Sequence, residues 1–130
     1  MQQEKWIKWK PIERIPNTLY IEELKDTRDG LTIVMTREDN ILPSLIINFD
    51  TIISYRNTDE SYLLKTLNER ENFNKWPLFK IKNSQYLVWF HEQTYDIYKK
   101  QLPEIIHYAF ITPNDVIDVL AIITPILKWE

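Results

Sequence analysis

Apolar residues in this chain gather into short runs separated by polar turn residues, a pattern of strands more than of long helices. Residues 19–25 and 31–37 are two β-capable runs, and the segment between them, Asp26-Thr27-Arg28-Asp29-Gly30, ends in a strong short-range hairpin signal. Residues 45–49 form the next strand, continued or paired by residues 51–56, because Ile, Phe, Thr and Tyr suit a pleated surface. Asn48 and Asp50 mark a bend.

Two segments carry helix-start signals. At Asn57-Thr58-Asp59-Glu60, Asn57 can cap while Glu60 reaches back in a capping-box arrangement, and Leu63, Leu64 and Leu67 supply an apolar stripe. A Trp76-Pro77 break and a short strand at residues 78–81 follow. Asn83-Ser84 then caps a second helix over residues 85–93, whose apolar residues 86–90 cover nearly the whole circumference and predict substantial burial.

The last third predicts a hairpin, residues 105–111 and 116–122, around Thr112-Pro113-Asn114-Asp115. A two-residue and a three-residue loop differ by one residue of pairing, which flips one strand's faces relative to the other. A type I turn with a left-handed bulge suits Pro-Asn-Asp and favours the three-residue loop. One face then carries His107, Ala109, Ile111, Ile117, Val119 and Ala121; the other carries Tyr108, Phe110, Asp118 and Leu120. Both are apolar, which predicts a central hairpin covered on both sides. The expectation is one α+β domain over residues 1–130, a mostly antiparallel sheet of about six strands with two helices packed on it.

Composition narrows the chemistry. The absence of cysteine removes disulfides, thiol nucleophiles and thiolate metal sites. No apolar run reaches the roughly 18 residues that span a bilayer, and the first residues lack the apolar stretch of a secretory signal, so a cytoplasmic protein without a membrane partner is expected. A net charge of −3 argues against a dedicated nucleic-acid binder, which needs a clustered basic surface. With Gly30 as the single glycine, phosphate-cradling loops and a G-x-S-x-G nucleophile elbow are excluded.

The remaining motifs are incomplete. His91-Glu92-Gln93-Thr94-Tyr95 has Tyr95 where a zinc-protease helix needs its second His, and His91 and His107 are the only histidines, so no metal, cofactor or catalytic residue is expected. Glu23-Leu24-Lys25 lacks the preceding Asp of a nuclease site, and the neighbours Glu22-Glu23, Glu38-Asp39 and Asp59-Glu60 read as surface charge and capping. Lys5-Trp6-Ile7-Lys8-Trp9-Lys10 has the interleaving that would stack a single nucleic-acid strand through Trp6 and Trp9, but it reads first as an edge strand whose Lys side chains discourage aggregation while Trp6 and Trp9 pack inward or onto a neighbour. His107 and Asp118 lie in an apolar hairpin, where the carboxylate needs a cation or backbone N–H; a small enzyme or ligand-binding domain could use them as an acid–base pair.

Trp9-Lys10-Pro11, the string from Tyr55 to Glu60, the string from Asn83 to Phe90, Ile106-His107-Tyr108 and the string from Asn114 to Leu120 together resemble small single-domain immunity partners of polymorphic toxins in Gram-positive bacteria. The resemblance implies a cytoplasmic, non-catalytic protein that neutralises a cognate toxin domain by occluding it. Tyr55, Arg56, Asp59 and Glu60 are the candidate partner-binding residues, because aromatic and Arg side chains near turns anchor tight interfaces.

Overall fold

The computed structural model describes residues 3–63 and 76–130, and its strands are built around two tight turns. Asp29-Gly30 closes the hairpin of β2 (Tyr20–Thr27) and β3 (Gly30–Thr36), pairing Thr27 with Gly30. β4 (Leu45–Phe49) pairs with the other edge of β3. The chain then bends at Asp50, and β5 (Ser54–Asp59) leaves this sheet altogether. Asn48 stays within β4, where its amide donates to Thr32 Oγ1 at 2.9 Å.

Two antiparallel sheets result, in place of the single sheet of about six strands expected. One has four strands in the order β2-β3-β4-β9, with β9 at Ile126–Trp129. The other has five, in the order β1-β6-β7-β8-β5, with β1 at Lys5–Lys8, β6 at Leu78–Lys82, β7 at Ile106–Ile111 and β8 at Asp115–Ala121. Among the described residues there is one α-helix, α1 (Gln85–Gln93), so the broad α+β class stands while the layer count changes. The other expected helix does not start at Asn57: Asn57 and Thr58 are in β5, and Asp59 instead caps a 3-10 turn, Glu60–Tyr62, accepting from Ser61 N at 2.9 Å. Leu64 and Leu67 lie outside the described residues. No helix among the described residues is long and apolar enough to cross a membrane.

The main core lies between the sheets. Leu31, Ile33, Met35, Leu45, Ile47 and Phe49 from one meet Tyr108, Phe110, Ile117, Val119 and Ala121 from the other, all buried. Phe49 sits edge-on to both Tyr108 and Phe110, with ring centroids 5.3 and 6.1 Å away. The opposite face of the five-stranded sheet is also covered. Tyr86 of α1 packs there with Ile105 and Leu120, and Trp6, Phe79, Ile81, Ala109 and Val116 form a second cluster. β7 and β8 are thus a central hairpin, as both apolar faces predict.

Its register is not the expected one. Ile111 pairs with Val116 and Phe110 with Ile117, and Thr112 N donates to Asp115 O, so the loop is the two residues Pro113 and Asn114. Thr112 Oγ1 closes it by accepting from Asn114 N at 3.1 Å and Asp115 N at 2.9 Å. That one-residue difference reassigns the faces: Tyr108, Phe110, Ile117, Val119 and Ala121 point into the inter-sheet core, whereas His107, Ala109, Asp118 and Leu120 share the helix side.

Gly30 is the tightest point of the first hairpin. Its φ is +109°, and a Cβ there would lie 2.1 Å from Phe49 O and 2.9 Å from Asp50 O, backbone atoms at the end of β4 and in the bend just after it. Gly30→Ala is expected to lower the unfolding free energy by about 2 kcal/mol or more, because strain and a backbone clash add. Urea melts check it; a change within about 0.5 kcal/mol, the size of a harmless surface substitution, would show that β3 and β4 do not meet there. On the same measurement Val119→Asp should cost at least roughly 3 kcal/mol, by placing an unpaired charge between the sheets.

Candidate functional site

A chain of polar side chains crosses the helix side of the five-stranded sheet. Alternation along β7 turns His107 toward α1, and the two-residue loop sets Asp118 of β8 diagonally from it, opposite Ala109. His107 Nε2 and Asp118 Oδ1 are 2.7 Å apart. β5 pairs with the far edge of β8 so that Arg56 lies opposite Asp118, and Arg56 Nε donates to Asp118 Oδ2 at 3.0 Å. At the other end Ser84, the N-cap of α1, places Oγ 2.6 Å from His107 Nδ1 and accepts from Leu87 N at 2.9 Å. Tyr86 braces the chain: its ring lies 4.2 Å beneath the Arg56 guanidinium and edge-on to His107 at 5.5 Å, and its hydroxyl is hydrogen-bonded to Ser54 Oγ.

Ser84, His107 and Asp118 are buried, at 5%, 2% and 3% exposure, while the Arg56 side chain is 50% exposed. Burial pushes the Asp118 carboxyl up, but the hydrogen bond and charge of His107, together with Arg56, outweigh it and hold the group below the ordinary carboxylate value. Burial pushes the Tyr86 phenol up against the opposing effects of the Ser54 hydrogen bond and the Arg56 charge. His107 thus bridges the Asp118 carboxylate at Nε2 and the Ser84 hydroxyl at Nδ1, while the Ser84 oxygen accepts Leu87 N–H.

Serine, histidine and aspartate in hydrogen-bonded sequence are the parts of an acyl-transfer triad. Here the hydroxyl is buried and already caps a helix, so its oxygen is engaged within the fold, and the chain acts as a tie between β5, β8, β7 and α1. The only member that meets solvent is Arg56.

The structure divides the candidate residues. His107, Asp118 and Arg56 come together. Tyr55, next to Arg56, turns the other way and packs against the inter-sheet core. Asp59 is occupied by Ser61, whose N–H and hydroxyl both donate to it and lower its pKa, and Glu60 is exposed on the turn that Asp59 caps, its N–H donating to Asn114 O at 3.0 Å. Trp6 is buried edge-on to Phe79, and Trp9 packs on Tyr108 with ring centroids 5.0 Å apart. Both Trp rings are therefore engaged within the fold, with exposed Lys5 and Lys8 on the edge strand β1. Among the described residues no three His, Asp or Glu side chains converge as metal ligands.

The expectation of a substantially buried α1 is overturned. Tyr86 is its one buried residue; Val88 and Trp89 are exposed, Trp89 at 47%. The helix lies on the outside of the sheet, so only one side of it finds a partner layer. The stretch beyond it continues the exposure with Tyr95, Ile97 and Leu102, the last at 82%. Sequence reasoning misses Ser84 and Tyr86 as site residues, although Ser84 is legible as a cap; its second bond, to His107, depends on a strand 23 residues away. No family model matches this chain, and comparisons with curated proteins and with solved structures find no match.

The depressed Asp118 pKa fixes the sign of a pH dependence. A carboxyl whose folded value lies below its ordinary 3.8 contributes stability that is complete above that value and is lost as pH falls toward the folded value. Asp118→Asn should therefore cost roughly 1–3 kcal/mol at about pH 6, and the difference from wild type should shrink as both are melted below about pH 4. A difference that stays constant across that range would show that Asp118 carries no depressed pKa. Ser84→Ala, which removes the cap and the partner of His107, should cost about 1–2 kcal/mol at either pH.

Proposed function

We propose that this chain is a non-catalytic protein-binding module, an immunity protein of the cytoplasm that neutralises a cognate toxin domain by direct binding. The observation that carries the reading is the exposed aromatic and aliphatic series on α1 and the stretch after it: Val88, Trp89, Tyr95, Ile97 and Leu102. Soluble monomers seldom leave so many large apolar side chains in water along one stretch unless that surface is used. Trp and Tyr are the side chains that anchor tight interfaces, and an Arg sits beside them, since Tyr86 touches both Trp89, with ring centroids 5.7 Å apart, and Arg56. The sequence resemblance supplies the class of partner, and the burial of Ser84 and His107 speaks for binding without turnover.

Co-purification with the product of the neighbouring gene is the direct test, and a stoichiometric complex is the expected result. Trp89→Ala should weaken that complex about 30-fold or more, the size of a hot-spot loss of about 2 kcal/mol, while Glu23→Ala on the distant edge strand β2 should leave it within about twofold. No complex, or one indifferent to Trp89, would count against the reading.

A further inference from the structure

The buried chain ends on a side chain it does not use up. A guanidinium carries five N–H donors in a rigid fork, and among the described residues Arg56 commits one, Nε to Asp118. The donors on Nη1 and Nη2 remain, on a side chain that is half exposed. The group is nevertheless held from two sides. A carboxylate fixed by His107 grips its Nε edge, and the Tyr86 ring lies 4.2 Å beneath it. An exposed Arg ordinarily gives up much rotamer freedom when it binds; one already held loses less, so more of each new hydrogen bond appears as affinity.

We propose that Arg56 is a preset fork for a carboxylate side chain of a protein partner, with Asp118 and His107 as its positioning residues. That the carboxylate belongs to a protein rests on the binding reading above. Charge favours a single carboxylate over a polyanion. The fork is one cation over the Tyr86 ring, and further along the same chain stand the exposed carboxylates Asp59 and Glu60, on a protein of net charge −3. A phosphate backbone would meet repulsion there, whereas one Asp or Glu fits the fork bidentately.

The test needs no partner. Arginine Nε–H signals of the full chain are followed by NMR while sodium acetate is added, against sodium chloride at equal ionic strength, with Arg56 assigned by the loss of its signal in Arg56→Lys. Arg28, exposed in the first hairpin turn, is the internal reference. Arg56 is expected to respond with half-saturation at an acetate concentration about threefold or more below that of Arg28, and the preference should vanish in His107→Gln and Asp118→Asn while the backbone spectrum stays dispersed. Equal responses of Arg56 and Arg28, or an Arg56 response no larger than with chloride, would overturn the fork; a preference that survives both variants would overturn the positioning role. If the variants unfold, the wild-type comparison still decides. A partner complex indifferent to Arg56→Lys would overturn this inference and leave the binding reading intact, and an acetate preference without any complex would do the reverse.

Discussion

The register of the β7–β8 hairpin is the constraint on which the rest of the molecule depends. Turn chemistry alone would favour a bulged three-residue loop at Pro113-Asn114-Asp115, a preference worth of the order of 1 kcal/mol or less. Sliding β8 by one position would turn Asp118 toward the inter-sheet core, among Tyr108, Phe110 and Phe49. An unpaired carboxylate there costs several kcal/mol, and Val119 and Ile117 would leave that core at the same time. Burial therefore overrides the turn preference. Thr112 then makes the two-residue loop tolerable, because its hydroxyl accepts the N–H groups of Asn114 and Asp115 that the tighter turn exposes.

Once that register is set, Asp118 must be satisfied where it falls, and its partners come from two directions. Arg56 arrives through strand pairing and His107 through the diagonal of its own hairpin, while Ser84, at the helix cap, holds the other side of His107. A buried ionic chain of this kind is weak evidence for stability, since well-packed apolar residues of similar volume often do as well. What it supplies is direction. Each bond joins a different element, so the chain fixes how α1 lies on the sheet and how β5 meets β8, which nondirectional burial of Leu120 and Tyr86 would leave less defined.

The features legible in the sequence were those decided locally. Asp29-Gly30 announced a hairpin because only a glycine tolerates that backbone and the approach of Phe49 O; Ser84 announced a helix because a cap acts within three residues. The apolar faces of residues 105–122 announced a central hairpin. Partition into two sheets was hidden, because nothing around Asp50 states which edge β5 will join. β9 was hidden too: it is four residues long, follows Pro125, and is anchored by the paired Ser44 and Glu130 backbone bonds, each 2.9 Å, across 86 positions of chain. Of the site residues, His107 and Asp118 were visible as a possible pair but placed on opposite faces, and Arg56 was visible only as a partner-binding candidate, since their meeting depends on the one-residue choice of loop.

Helix α1 shows why apolar periodicity cannot report burial. A run such as Tyr86-Leu87-Val88-Trp89-Phe90 fixes which side chains avoid water, not whether a second layer exists to cover them. On the outer face of a sheet, one side of the helix packs and the other is left to solvent. The chain then leaves α1 through Tyr95 and Asp96, both left-handed at φ 52° and 59°, a conformation unfavourable for a bulky aromatic. Backbone hydrogen bonds from Asp96 N to His91 O at 2.9 Å and from Ile97 N to Thr94 O at 3.1 Å hold that turn, yet the Tyr95 side chain is 89% exposed and gains little from the fold it strains. The strain at Tyr95 and Asp96 thus lies in the same stretch as the exposed Ile97 and Leu102, where burial does nothing to offset it.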